Sequence, residues 1–498
     1  MSDRTTVVLG GGLAGIAAAV RLADAGRAVT LIETRKRLGG RATSHVDPQT
    51  GELIDNCQHV LLGCCTNLLD LYGRLGVSGA VGWHRTLHFF DKGGGGAGTG
   101  AGAGGANSGG SGVGVPRHWT MRGDPLPAPL HLARSMLGYR GLGLGDRAAV
   151  GRAMTAIMRA GVEGRAAVAG QTFGDWLRAR GQSESAIERF WEVIVVSALN
   201  AGVDRLGAGY AFQVFQDGFM AHRRAYVMGV PTVSLAALYD SAERVIARGG
   251  GAVMTGSSVR RIGFDAGAGR VTEVELADGT VIHPDLIVSA LPFDRLAKVA
   301  PAELRAADER LARLEEIEVS PIVGIHMWFD RPVVGWPHMI FVDSPLQWVF
   351  VHKDGEAGQH VHGVISAAEA WVGRRDEEVL AMAAEELSRY PTACGRGGGR
   401  RGGPVGEAAL VRGRVIREKR ATFAPTPGVD ALRPGARGSV ENLILAGDWA
   451  ATGWPATMEG AVRSGYLAAW AAMGEGAGEG GMVVADLPKA PLYRLLSG

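Results

Sequence analysis

Residues 5–15 read Thr5-Thr6-Val7-Val8-Leu9-Gly10-Gly11-Gly12-Leu13-Ala14-Gly15. The β-branched and aliphatic run at 5–9 predicts a buried strand. Small residues over 15–26 predict a helix, and 28–33 (AVTLIE) a second strand, giving a βαβ unit. Between strand and helix, Gly10, Gly12 and Gly15 fit G-x-G-x-x-G. Gly10 permits the tight turn, Gly12 lets backbone approach a pyrophosphate, and Gly15 lets helix and strand pack closely. Leu13 and Ala14 fill the motif just before the helix, whose free N–H groups and positive dipole end suit phosphates. Glu33 closes the second strand, where a carboxylate can bind ribose hydroxyls. The same glycine spacing recurs at Gly100–Gly105, but there composition alone explains it.

Gly39, Gly40 and Arg41 follow the acidic strand end and extend the phosphate contacts. A nicotinamide enzyme needs no C-terminal return to this unit, yet the chain has one. Residues 443–448 read LILAGD, then TGWPATMEGAVRSG follows. Asp448 beside Gly447 can bind a ribityl chain. A helix starting near Thr457-Met458 can aim its N-terminus at the flavin N1/O2 edge, which is anionic when reduced. These residues point to FAD, with Val259 of the strand-rich segment 251–290 expected beside it. No second fingerprint for NAD(P)H stands out.

The 498 residues suffice for two or more domains. Net charge is +2, so no global basic excess argues for nucleic acid. Four cysteines make no disulfide framework. With no signal peptide and no apolar run long enough to span a bilayer, a cytoplasmic setting is expected.

Residues 93–114 and 395–403 are Gly-rich and predict disordered loops. From about 115 to 245 the pattern is mostly helical. Residues 320–330, 346–352 and 360–366 predict strands of another sheet, and 457–473 a long helix. The expected fold is α/β, with a discontinuous Rossmann-like FAD-binding domain (1–90, 236–300 and 436–475). An α+β substrate domain takes 115–235 and 301–435.

Five stretches carry a family resemblance: DNCQHVLLGCC, ALNAGVDRLGAGYAFQVFQDGF, PIVGIHMWFDRPV, REKRATFAPTPGVDALRPG and LAGDWAATGWPATMEGAVRSG. Together they resemble the hydroxysqualene dehydroxylases (squalene-associated FAD-dependent desaturases) of bacterial hopanoid synthesis, in the flavin amine oxidase and phytoene desaturase superfamily. The first stretch departs from the family at Cys57, where Gly is usual. The resemblance implies reductive dehydroxylation of hydroxysqualene to squalene, with hydride from reduced FAD and loss of water. It also implies a C30 isoprenoid substrate, partners among squalene-synthesis enzymes, and peripheral contact at the inner face of the cytoplasmic membrane. A carotenoid or squalene desaturase would use the same fold and flavin in the opposite redox direction. A non-catalytic flavin-binding partner that channels lipid is the rival of another class.

Residues 54–65, IDNCQHVLLGCC, hold three of the four cysteines. The spacing is not that of zinc ligand pairs, so no metal is expected. Leu61, Cys65, Leu68, Tyr72 and Leu75 share a helical stripe over 60–76, which makes the cysteines packing residues. His59 is the candidate proton donor, with a satisfied structural histidine as the bland alternative. Asp55 is a second catalytic candidate, or a cap for the helix that follows. Glu459 suits a helix N-terminus for dipole reasons alone. Trp449, Trp454, Trp328 and Phe423 are candidates for an apolar tunnel, and His326 carries no special weight.

Overall fold

The computed structural model describes residues 5–92, 116–355, 358–390, 408–474 and 482–497. Both Gly-rich segments, 93–114 and 395–403, lie outside the described residues. Strand β1 (Thr6–Leu9), helix α1 (Leu13–Asp24) and strand β2 (Val29–Glu33) form the expected βαβ unit. All four residues of β1 are buried, as a strand covered on both faces requires. Strands Ala252–Thr255, Leu286–Ser289 and Leu443–Leu445 complete a five-stranded parallel sheet. In order across the sheet, the strands are Ala252–Thr255, β2, β1, Leu286–Ser289 and Leu443–Leu445.

The C-terminal return is fixed by small residues. Helix Met458–Met473 packs on α1, and a Cβ at Gly465 would overlap the Ala14 carbonyl oxygen and press on Ala17. The alanines of α1 are fully or nearly fully buried there. Close approach of two backbones is what their small side chains permit.

A seven-stranded sheet forms the second body, with Leu410–Phe423 at one edge, paired to Val319–Phe329 and then Gly358–Ser366. Its far edge is Thr86–Asp91 paired with Arg117–Arg122. All of Thr86–Asp91 but its last residue falls in the segment 1–90 expected on the FAD side, but its ladder hydrogen bonds go to this second sheet. Arg117–Arg122 and Met228–Pro231 are strands inside a segment expected to be mostly helical. In both, pairing with a partner distant in sequence overrides local pattern.

The helix expected from residue 60 begins at Thr66 and ends at Arg74. Leu61-Leu62 pairs instead with Met228-Gly229, so Leu61 leaves the stripe and only Leu68, Tyr72 and Leu75 keep it. Cys65 sits at the N-cap position, while Cys64 packs against Ala225 and Trp454.

Candidate functional site

A cavity of about 640 Å³ runs along the C-terminal ends of the parallel strands. That volume is within the range of cofactor and ligand sites, and the position is where open parallel sheets bind ligands. Gly10, Gly12, Leu13, Ala14, Glu33, Gly39, Gly40, Arg41, Val259, Gly447, Asp448, Thr457 and Met458 all line it. Gly15 does not; it sits under the loop, where a Cβ would overlap the Gly10 carbonyl oxygen. Gly10 has φ +98, which only glycine adopts without strain. At Gly12 an added Cβ would meet nothing closer than the Gly40 Cα at 3.9 Å, so the space above it is open to the cavity.

Helix α1 has no side-chain N-cap, which leaves its first-turn N–H groups to the cavity. The Glu33 carboxylate accepts from Gly11 N and Arg35 N, both at 2.7 Å. It therefore shapes the glycine loop as well as lining the cavity. Arg41 donates to the Asp448 carboxylate and, at 2.8 Å, to the Ala421 carbonyl. Thr457 caps the last long helix by accepting from Gly460 N at 3.0 Å. Strand ends, two helix N-termini and one charge pair thus face a single elongated space. These groups fit the phosphates, ribose and ribityl chain of FAD.

Beyond the nucleotide-type groups the wall becomes apolar, with Ala198, Leu199, Ile322, Trp348, Phe350 and Val364. His59 and Cys57 border this part. The His59 Nδ1 lies 2.8 Å from the Cys57 carbonyl. Only a donor satisfies a carbonyl, so Nδ1 carries the proton and Nε2 is left on the cavity side. Burial, and secondarily Arg41, pull the His59 pKa below its ordinary value, against the Cys57 carbonyl and Asp55. Burial pushes the Cys57 thiol up to about 12, which keeps it uncharged and poor as a nucleophile.

Asp55 is not on the cavity wall. Its Oδ1 accepts from the Ser44 hydroxyl at 2.6 Å and from Leu235 N at 3.0 Å. It caps the turn Leu235–Leu238, far along the chain, rather than the helix that follows it. Glu459 is fully buried and accepts from Asn67 N, the Asn67 amide and Leu68 N, so it caps helix Thr66–Arg74. Of the four tunnel aromatics, Trp449 lines the cavity; Trp454, Trp328 and Phe423 do not. Trp328 stacks on His360 and lies under Arg412. Among the described residues, no group of three or more His, Cys, Asp or Glu side chains is arranged to hold a metal ion.

Sequence reasoning missed several residues. Asn200, in left-handed conformation at φ 54, lines the cavity. Its amide donates to the Ser320 carbonyl and the Thr422 hydroxyl, and its Oδ1 accepts from Ala367 N. Helix-ending Asn in a non-Gly sequence was the available signal. Glu418 lines the cavity and accepts from the Asn56 amide at 3.2 Å. Strand alternation places it on the face opposite Arg417 and Lys419, and that alternation was readable. His326 matters more than its pattern suggested: Nε2 donates to the Asp55 carbonyl at 2.9 Å, and Nδ1 meets His360 Nε2 at 3.0 Å. It holds the loop that carries His59.

The family model of flavin-containing amine oxidoreductases matches residues 13–473. A hydroxysqualene dehydroxylase from Sinorhizobium fredii is 28% identical over 476 residues, covering 94% of this chain and 98% of that protein. A 15-cis-phytoene desaturase from Synechococcus elongatus is 24% identical over 481 residues, covering 93% and 94%. An oxidoreductase structure from Methanosarcina mazei superposes with TM-score 0.67 at 18% identity, over 93% of this chain and 98% of that one. Cyclohexylamine oxidase from Brevibacterium oxydans gives 0.63 at 18% identity, over 94% and 98%.

Proposed function

The chain belongs to the flavin-containing amine oxidoreductases, and from that premise we propose that it reduces hydroxysqualene to squalene with release of water. FAD is its cofactor. The observation that carries the reading is the apolar end of the cavity, Ile322, Trp348, Phe350 and Val364, bordered by one imidazole. Such a wall suits a polyisoprenoid chain. The near-complete span of the relative named hydroxysqualene dehydroxylase supports it as well.

When bound and reduced, FAD supplies a hydride equivalent. The protein's residues supply the rest. Gly12 and the start of α1 would receive the pyrophosphate, and Arg41 with Asp448 would hold the middle of the cofactor. The N-terminus of helix Met458–Met473 would stabilise negative charge on the reduced group. The substrate hydroxyl is allylic, so its loss leaves a delocalised cation. Hydroxide leaves poorly; His59 would act in its imidazolium form, taking a second proton at Nε2 and passing it to the hydroxyl so that water departs, and the Cys57 carbonyl on Nδ1–H favours that charged form against burial. The apolar wall excludes bulk water from the cation before it accepts hydride.

The desaturase relatives share the same span of chain, and their reaction runs the redox chemistry the other way. Incubating reduced holoenzyme with hydroxysqualene, and oxidised holoenzyme with phytoene, separates the two. Squalene from the first and no desaturated product from the second supports the reading; the reverse pattern overturns it. If neither isoprenoid changes the redox state of the flavin, the chain is a flavin-binding lipid carrier.

A further inference from the structure

Glu459 sits in the first turn of helix Met458–Met473, whose start lines the cavity at Thr457, Met458 and Ala461. We propose that its carboxylate stays ionised there and sets the reduction potential of the flavin, making the reduced cofactor a stronger hydride donor. Glu459 is 0% exposed. Its hydrogen bonds cap helix Thr66–Arg74, yet a neutral Ser, Thr or Asn serves a helix start as well. A buried carboxylate carries a desolvation cost that those residues avoid. Capping alone therefore leaves the charge unexplained.

Every group bonded to this carboxylate is a donor. Oε1 accepts from the Asn67 amide nitrogen at 2.8 Å and from Asn67 N at 3.2 Å, and Oε2 accepts from Leu68 N at 2.8 Å. The Arg463 guanidinium, one turn along the same helix, donates to Oε1 at 3.3 Å. None of these groups can take the proton of a carboxylic acid, so the arrangement favours the ionised form. Burial raises the Glu459 pKa, and Leu68 N, Arg463 and Asn67 pull it back. The C-terminal segment fixes these partners. Val484 N donates to the Asn67 Oδ1 at 2.9 Å, and the Asn67 amide nitrogen donates to the Val484 carbonyl at 3.1 Å. Asp486 of the same segment pairs with Arg463.

The sign of the effect follows from charge. Two-electron reduction turns a neutral oxidised flavin ring into an anion. The helix N-terminus stabilises that anion, and a fixed negative charge in the first turn opposes it. The equilibrium shifts toward oxidised flavin, so hydride leaves the reduced cofactor more readily. The purpose of such a shift rests on the reductive reading above; the shift itself rests only on bound FAD.

The test is the midpoint potential of the flavin in full-length holoenzyme, equilibrated with reference dyes and with no isoprenoid present. Glu459→Gln keeps the size of the side chain and should raise the potential, by about tenfold in the equilibrium constant, or about 30 mV for a two-electron couple. Glu459→Asp keeps the charge and should stay near the unaltered protein. Arg463→Gln leaves the carboxylate without its cation and should lower the potential. An unchanged or lowered potential in Glu459→Gln overturns the proposal. So does an equal rise in Glu459→Asp, which would assign the shift to packing. If Glu459→Gln retains no flavin, Arg463→Gln decides, and a potential that holds or rises overturns the proposal. No substrate enters these measurements, so their failure is distinct from failure of the hydroxysqualene reading, which product analysis reports.

Discussion

Arg41 and Asp448 form a charge pair across 407 residues of sequence, tying the loop after β2 to the strand end of the C-terminal return. The Asp448 side chain is 9% exposed. Removing Asp448 takes away the nearest counter-charge of Arg41, which is one-third exposed and still has Glu418 and Asp294 nearby, so the cost falls below the about 3–5 kcal/mol of a fully buried pair. Asp448→Ala should therefore lower stability and release FAD, seen as free flavin fluorescence after desalting. Full retention of flavin by this variant would remove the pair from the cofactor site.

Two glycines of one motif should fail differently. Gly15→Ala drives a Cβ into the Gly10 carbonyl oxygen, and overpacking of this kind costs about 1–3 kcal/mol or more. Gly12→Ala meets only open space, so the apoprotein should keep its unfolding midpoint while flavin affinity falls. Denaturant titration of both apoproteins, beside flavin binding, checks this. Equal destabilisation would mean that the cradle above Gly12 is not where the cofactor lies.

His59 and Asp55, four residues apart, should separate into chemistry and structure. His59→Gln keeps the size of the side chain but removes the acid, and loss of general acid catalysis costs about 10²–10⁴-fold in rate. Its thermal midpoint should change little. Asp55→Ala orphans Leu235 N and the Ser44 hydroxyl, each at about 1–3 kcal/mol. It should act through stability, with turnover per folded, flavin-loaded molecule near normal. Rates near normal in His59→Gln would point to Glu418, a carboxyl group that also lines the cavity.

Acid should destabilise the fold through buried imidazoles. Burial lowers His326 to about 4 and His338 to about 3, and both side chains are fully buried. Both folded values lie below the unfolded value, so the unfolded chain binds more protons as pH falls. Stability is thus complete above about pH 6.5 and declines toward pH 4, by up to about 1.4 kcal/mol per pH unit for each histidine. Urea midpoints between pH 7.5 and pH 4.5 would show it. Neither His338 nitrogen has a partner, so His338→Phe should flatten the decline; an unchanged slope would show that other groups carry it.

The part of the cavity lined by the glycine loop and the C-terminal return was readable because its backbone requirements are local. Gly10 to Gly15, Glu33 and Gly447-Asp448 sit at strand ends whose runs are contiguous in sequence, and backbone needs alone fix those residue types. The substrate-side wall was not readable for the opposite reason. Leu61 pairs with Gly229, Asp55 caps Leu235, and His326 holds the Asp55 carbonyl, each a contact set by sheet assembly across more than a hundred residues. A histidine on an alternating strand looks the same whether it faces bulk core or a loop that carries the candidate acid. The three cysteines at 57, 64 and 65 drew notice by composition, but burial leaves Cys57 and Cys64 as packing groups.

An anaerobic single turnover decides the direction of the redox chemistry. Holoenzyme with its flavin fully reduced is mixed with one equivalent of hydroxysqualene, following flavin absorbance and product together. Oxidation of the flavin in step with squalene, one squalene per flavin oxidised, is the predicted result. Flavin that stays reduced while hydroxysqualene is recovered intact would contradict it.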